Sequence, residues 1–260
     1  MAKILAITNQ KGGVGKTTTS VNLAASLGAA KRRVLLIDLD PQGNATMGSG
    51  VEKNRLERTV YHVLLEQSGI NDVRISVAKG NYDIIPANRE LAGAEVELVD
   101  VAHRETRLKN ALAKVEDQYD FILIDCPPAL NLLTVNGLTA AHSVMIPMQC
   151  EYYALEGLSD LIQTIKKVRS HLNPALEIEG LLRTMYDPRN ALAQQVSEQL
   201  QQHFGEKVYR TVIPRNIRLA EAPSYGVPVL FHDKNSKGAL AYLALAGEIL
   251  RKQPEVAAPA

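Results

Sequence analysis

The sequence predicts an α/β fold, a single domain built on a mostly parallel, twisted sheet with helices on both faces. Three observations carry that expectation. Short aliphatic and β-branched runs alternate along the chain with longer amphipathic stretches. Several of the short runs are apolar with little alternation, as strands buried on both faces are. The 260 residues, 46% hydrophobic and 22% charged, suit one large unit. Neither an internal repeat nor a Pro/Gly/Ser-rich linker divides them.

Taken in order, a strand at residues 4–8 runs into a glycine-rich turn and a helix over 17–29. Strands follow at 34–38 and 82–86, then a helix at 105–118. Residues 121–125 and 143–147 are the next strands, with a helix over 155–171 after them. The last third alternates strand 178–184, helix 191–203, strand 208–213 and helix 238–252. The domain is expected over residues 1–252. Residues 253–260, with two prolines among small side chains, are expected to form a frayed tail.

Composition narrows the classes of function. A net charge of +1 argues against a chain coated in positive potential, though not against a local basic face. Between Arg183 and Arg218 the basic residues Arg183, Arg189, Lys207, Arg210, Arg215 and Arg218 meet only Asp187, Glu198 and Glu206, a mild bias. No apolar run approaches the roughly 20 residues a membrane helix needs. The chain enters a strand pattern at Lys3-Ile4, so no signal peptide is expected ahead of the fold. Cys126 and Cys150 are too few for a disulfide framework and suit a reducing cytoplasm.

The first strand leads into Asn9-Gln10-Lys11-Gly12-Gly13-Val14-Gly15-Lys16-Thr17-Thr18, a phosphate-binding loop before a helix. Glycines let backbone N–H groups curl around phosphate oxygens, and the helix offers its positive N-terminal end. Lys16 would reach the β and γ phosphates, and the Thr17 hydroxyl would bind Mg²⁺ directly. The common pattern has glycine where Gln10 stands, but the Gly-Lys-Thr core and its strand–loop–helix setting remain. Two further apolar strands end on carboxylates, at Asp38-Leu39-Asp40 and at Asp125. A carboxylate at such a strand end is costly to bury without a cation, so Asp40 and Asp125 are candidates to hold Mg²⁺ through its waters. Asp38 is read as a helix cap or ion-pair partner rather than as a chemical group.

Lys11 makes the loop resemble the deviant Walker A class of P-loop ATPases, Lys-Gly-Gly-x-x-Gly-Lys-Thr. The resemblance to ParA/Soj partition ATPases extends over about residues 3–252. It rests on Asp38-Leu39-Asp40-Pro41-Gln42-Gly43-Asn44-Ala45-Thr46, on Gln149-Cys150-Glu151-Tyr152-Tyr153-Ala154-Leu155-Glu156-Gly157, and on Val212 to Ser224. It resembles the short form, in which no helix-turn-helix is expected ahead of the loop.

The resemblance implies a P-loop fold and hydrolysis of ATP with Mg²⁺. Lys11, Lys16 and Asp40 would be the catalytic residues: Lys11 reaches the partner subunit's nucleotide, Asp40 orients the attacking water and Asp125 is the Walker B residue. Residues Lys11, Gly12, Gly13, Val14, Gly15, Lys16, Thr17 and Thr18 would hold the phosphates. Met185, Pro214 and Asn216 would meet adenine; the sequence has no Asn-Lys-x-Asp motif of the kind that reads guanine. It further implies an ATP-bound homodimer that binds double-stranded DNA without sequence preference. Arg189, Arg218 and Lys237 would contact phosphate. A ParB/Spo-zero-J-type centromere-binding partner would stimulate hydrolysis, and the protein would be cytoplasmic and nucleoid-associated.

Two relatives of the class are rivals. An iron–sulfur protein of the nitrogenase iron-protein group would use two cysteines per chain, but Cys126 leads into Pro127-Pro128 and both cysteines are read as buried apolar residues. A MinD-like membrane-cycling ATPase needs a C-terminal basic amphipathic helix, and this chain ends in a proline-containing stretch without an apolar face.

Overall fold

A computed structural model describes residues 2–252, so the expected tail at 253–260 lies outside the described residues. Seven strands form one sheet: β1 (Lys3–Ile7), β2 (Val34–Asp38), β3 (Ile75–Val77), β4 (Tyr82–Ile85), β5 (Phe121–Asp125), β6 (Ser143–Met148) and β7 (Glu177–Arg183). Their order is β3-β4-β2-β5-β1-β6-β7, and every neighbouring pair is parallel except β3 with β4. Parallel neighbours need long crossovers, and the helices that supply them cover both faces. The mostly parallel α/β expectation therefore holds.

Strand alternation divides the apolar residues between two cores. Ile4, Leu35, Ile37, Ile122 and Ile124 face one core, which the helices α3 (Leu132–Ala140), α4 (Ala154–His171) and α5 (Ala191–Phe204) close. Leu5, Ile7, Leu36, Phe121 and Leu123 face the other, under α1 (Lys16–Ala29), α2 (Asn44–Gly48) and α7 (Lys237–Arg251). The short helix α6 (Ile217–Glu221) leans on that second face through Leu219. Each fully buried Leu or Ile contributes about 1.5–3 kcal/mol. Strands at the centre, buried on both sides, carry no polar face, which is why they read as unbroken apolar runs. Among the described residues no helix is long and apolar enough to cross a membrane.

Four elements illustrate departures from expectation. Residues 208–213 are not a strand; they run beside β7 with only isolated bridges, Leu181 with Val208 and Tyr186 with Pro214. Their backbone groups have other partners: the N–H groups of Arg210 and Thr211 donate to the Glu248 carboxylate at 2.8 and 2.9 Å, and Tyr209 O accepts from Arg183. The helix expected over 105–118 is broken into 3₁₀ turns at Arg104–Thr106 and Glu116–Gln118 around a short α segment, Arg107–Leu112. Asn136 on α3 fixes that start, accepting from Leu108 N at 3.2 Å and donating to Arg104 O at 2.8 Å. The third departure is α3 itself, unforeseen because it is buried on nearly all sides and shows no amphipathic stripe. Its N-terminus is capped by Asn131, whose side chain accepts from Thr134 N at 3.1 Å. The edge strand β3 was also not foreseen, being only three residues long.

Candidate functional site

The sheet order brings the three chemically marked strand ends side by side. β2, β5 and β1 are neighbours, and their register aligns Asp38 with Asp125 and Asp125 with Ile7, the last residue before the glycine-rich loop. All three ends open on the carboxyl edge of the sheet, where open α/β sheets bind ligands.

The loop between β1 and α1 is braced from outside. Asn9 Oδ1 accepts from Lys11 N at 3.0 Å, and Asn9 Nδ2 donates to Pro147 O at 2.8 Å, tying the loop entrance to β6. On the far side Thr184 Oγ1, just past β7, donates to Val14 O at 2.7 Å. Gly13 and Gly15 have φ of 75° and 87°, and Gly15 is the N-cap of α1. Those left-handed angles suit glycine alone at low cost, and they turn successive N–H groups inward. The result is an anion cradle at a helix N-terminus. Lys16 is 8% exposed, and its ammonium donates to Lys11 O at 3.1 Å across the loop. Burial lowers its pKa against the opposing pull of the Asp125 carboxylate.

Asp125 is fully buried at the end of β5. Its Oδ1 accepts from Ser20 Oγ at 2.8 Å, while Oδ2 has no partner. Burial raises its pKa first, the charge of Asp38 adds to that, and the Ser20 and Thr17 hydroxyls oppose it. An orphaned buried carboxylate oxygen beside a threonine hydroxyl and a phosphate cradle fits a hard divalent cation. Among the described residues no three His, Cys, Asp or Glu side chains converge into a metal cage. Such a cation would therefore keep waters and ligand oxygens in its shell, as Mg²⁺ does.

Asp38, also fully buried, turns out to be a cap supplied from a distance. Its Oδ2 accepts from Thr46 N at 2.8 Å and Thr46 Oγ1 at 2.7 Å, and its Oδ1 accepts from Asp40 N at 3.1 Å. Thr46 Oγ1 in turn accepts from Ala87 N at 2.9 Å. The carboxylate thus ties the end of β2 to α2 and to the segment after β4. Burial raises the Asp38 pKa against these three hydrogen bonds. Asp40 stands at the partly exposed rim of this turn, with its Oδ1 accepting from Gln42 N at 2.9 Å.

Lys11 is exposed and its ammonium pairs with Glu151 of the same chain at 2.6 Å. Gly12 and Gly13 are exposed beside it. Next to Glu151, Tyr152 and Tyr153 stand out with most of their surface in solvent, their rings edge to face at 5.0 Å.

A second hollow adjoins the loop. A cavity of about 180 Å³ lies between Gly15, Thr18, Met185, Pro214, Asn216 and Leu219. Met185 holds φ of 49°, and its sulfur accepts from Gln149 Nε2 at 3.0 Å. Asn216 Oδ1 is buried without a partner. The expected residues Met185, Pro214 and Asn216 therefore meet the loop at one place. A wider hollow of about 470 Å³ lined by Arg33, Arg74, Asp83 and Tyr119 opens at the opposite, amino end of the strands, away from every carboxylate named above.

The basic candidates are all exposed, and two are engaged by carboxylates of their own chain. Arg189 grips Asp187 through Nε at 3.0 Å and Nη2 at 2.8 Å. Arg218 pairs with Glu221 at 2.8 Å and Asp233 at 3.3 Å. Lys237 opens α7. Exposed pairs of this kind are worth about 0–1 kcal/mol and exchange readily for another anion. Cys126 and Cys150 are buried and unbonded, and burial pushes both thiols up, Cys150 to about 11. Reactive or ligating thiolates need the reverse.

Reasoning from sequence assigned no role to Ser20, Thr46, Gln149, Glu151 or Thr184, although Thr46, Gln149 and Glu151 lie in stretches that carry the resemblance. Ser20 left a positional signal: it lies one helical turn after Lys16 and so shares its face.

A family model described as an AAA domain matches residues 2–178. The sporulation initiation inhibitor protein Soj of Bacillus subtilis is 57% identical over 249 residues, covering 96% of this chain and 98% of that protein. The chromosome partitioning protein ParA of Caulobacter vibrioides is 50% identical over 253 residues, 96% of this chain and 95% of that one. Among solved structures, a protein of Mycobacterium smegmatis described as cobyrinic acid a,c-diamide synthase, with bound ATP analog and magnesium, superposes with a TM-score of 0.85. It is 40% identical and covers 96% of this chain and 95% of that one.

Proposed function

Because this chain belongs to the ParA/Soj family of chromosome-partitioning ATPases, we propose that it is a nucleotide-switched dimer that moves DNA with a ParB-type partner. It is an ATP-hydrolysing enzyme whose cofactors are ATP and Mg²⁺. The observation that supports the assignment of residues is the shared rim of β1, β5 and β2, where the loop leaves β1 beside Asp125 and Asp40 follows two residues after the end of β2.

On this reading residues 1–252 act as one ATPase unit. The N–H groups of Gly12, Gly13, Val14 and Gly15 cradle phosphate, Lys16 sits at the β and γ positions, and Thr17 and Thr18 line the helix start. Thr17 would ligate Mg²⁺ directly, and Asp40 and Asp125 would hold its waters. Bound there, Mg²⁺ supplies positive charge against the β and γ oxygens. Asp40 accepts a proton from, or orients, the attacking water. Met185, Pro214 and Asn216 enclose adenine, and the orphaned Asn216 Oδ1 supports that by offering an acceptor in a base-sized space.

Lys11 leaves Glu151 and reaches the partner's phosphates, where a second cation stabilises the transition state as an arginine finger does. Pairing then sets two copies of Arg189, Arg218 and Lys237 on one duplex. Two weak sites joined in this way bind far more tightly than one. Hydrolysis, stimulated by the ParB-type partner, separates them again. The test measures phosphate release, self-association and binding to unrelated DNA duplexes with ATP, ADP and a non-hydrolysable analogue. DNA binding and dimer formation are expected with ATP and its analogue only. Equal DNA binding with ADP would overturn the switch.

A further inference from the structure

The peptide Tyr209–Thr211 is held from two sides by buried charged side chains that belong to none of the motifs above. Arg183, at the end of β7 and 9% exposed, donates through Nη2 to Tyr209 O at 2.8 Å and Arg210 O at 3.3 Å, and through Nη1 to Ser197 Oγ at 2.8 Å. Glu248, on α7 and 7% exposed, accepts from Arg210 N at 2.8 Å and Thr211 N at 2.9 Å. A buried charge whose partners are backbone dipoles is strongly directional, because displacing the dipoles leaves the charge unsatisfied. The segment therefore has one position, set by β7 on one side and by α7 on the other.

That position is transmitted to the cavity beside the loop. Arg183 O accepts from Ile213 N at 2.9 Å, and Ile213 O accepts from Tyr186 N at 3.0 Å. These bonds carry the chain directly into Pro214 and Asn216, which form one wall. Arg183 also leads through Thr184 into Met185, which lines the same cavity from the neighbouring segment, so one residue stands at the root of both. Thr184, although next to Arg183, is fixed to β6 through its N–H on Met148 O at 2.8 Å, so its bond to Val14 O and the Asn9 bond at the loop entrance do not run through the guanidinium.

We propose that Arg183 and Glu248 are positioning residues that set the spacing of the cavity walls, and through it the affinity for the nucleotide base but not for the phosphates. The proposal rests on the placement of adenine in that cavity made under Proposed function. A clamp of this kind explains why a β-branched segment next to β7 gives up regular strand pairing: the N–H groups of Arg210 and Thr211 and the carbonyls of Tyr209 and Arg210 are spent on fixing one location.

The experiment compares equilibrium binding of ATP and of inorganic triphosphate, both with Mg²⁺, to the full chain and to Arg183→Met, Arg183→Lys and Glu248→Gln. The two nonconservative variants are expected to bind ATP about five- to tenfold more weakly, the scale of one misplaced hydrogen bond. Triphosphate affinity and kcat at saturating ATP are expected to stay at wild-type values, with Arg183→Lys intermediate. Glu248→Gln preserves volume, so it decides the matter if Arg183→Met yields no folded protein in a thermal melt. Folded variants with an unchanged ratio of ATP to triphosphate affinity overturn the clamp. So does a parallel loss of both affinities, which marks a general structural role. A wild-type ratio near one is a different failure: it overturns the placement of the base, and the clamp with it.

Discussion

Asp125→Asn should make the nucleotide-free protein more stable while destroying its response to magnesium. Asp125 is fully buried with one oxygen orphaned, and its pKa is pushed up to about 8, first by burial and then by the charge of Asp38. The cation facing it, Lys16, spends its hydrogen bond on Lys11 O instead. Keeping a charge in such a place without a hydrogen-bonded cation costs several kcal/mol, of which a neutral side chain of the same shape should recover about 1–3 kcal/mol. Asparagine keeps the acceptor for Ser20 and removes the charge. With a shift of about 2–4 °C per kcal/mol for a domain of this size, the melting temperature in EDTA at pH 8.5 should rise by about 2–12 °C. The folded pKa lies above the unfolded one, so the stability tied to protonation is complete below the ordinary value of 3.8 and is lost as pH rises through about 8. Wild-type protein in EDTA should therefore melt higher at pH 6 than at pH 8.5. Asp125→Asn should flatten that slope, leaving the part due to Asp38, whose pKa is pushed up to about 6. Adding Mg²⁺ and ATP should stabilise the wild type and barely move the variant. A lower melting temperature for Asp125→Asn in EDTA at pH 8.5, with an unchanged pH slope, would refute the reasoning.

Asp40→Ala should bind ATP and self-associate yet release phosphate about 10²–10⁴-fold more slowly, the usual range for a lost general base, as single-turnover measurements would show. Normal turnover would shift water orientation onto the backbone. Lys11→Ala should bind ATP but fail to pair by analytical ultracentrifugation, whereas Glu151→Gln, which releases Lys11 from its own chain, should still pair. Unchanged pairing of Lys11→Ala would leave that lysine a surface charge. Arg189→Ala and Arg218→Ala should each weaken binding equally on unrelated DNA sequences and flatten the log–log salt slope by about one unit per lost phosphate contact, about two per dimer. A wild-type slope in either variant would assign that arginine to its intramolecular carboxylates alone.

The strands and the loop were legible because their causes are local. Apolar runs such as Val34-Leu35-Leu36-Ile37 are what a strand buried on both faces requires, and the observed β2 matches its expected bounds residue for residue. Gly13, Gly15 and Lys16 sit within a few residues of one another, so the cradle they form depends on little beyond backbone angles and a following helix. The meeting of Met185, Pro214 and Asn216 with the loop was legible only through family resemblance, since some 170 residues separate Gly15 from Met185.

Where expectation failed, the deciding partner was distant in sequence. Residues 208–213 carry β-branched side chains enough for a strand, but Glu248 and Arg183 take their backbone groups. The helix expected at 105–118 begins late because Asn136 caps it from α3. Asp38 was rightly suspected as a cap, yet nothing local names Thr46 and Ala87 as the groups it organises.

Sequence by itself thus determined most of the strands, the chemical residues at their ends and the family, since pattern and motif act within a few residues. Tertiary structure alone decided which carboxylate organises the turn and which is left orphaned, and which carboxylates engage Lys11, Arg189 and Arg218. The reason is physical: a hydrogen bond or an ion pair goes to whichever partner the packed fold brings within about 3 Å, and burial then fixes how much that choice is worth.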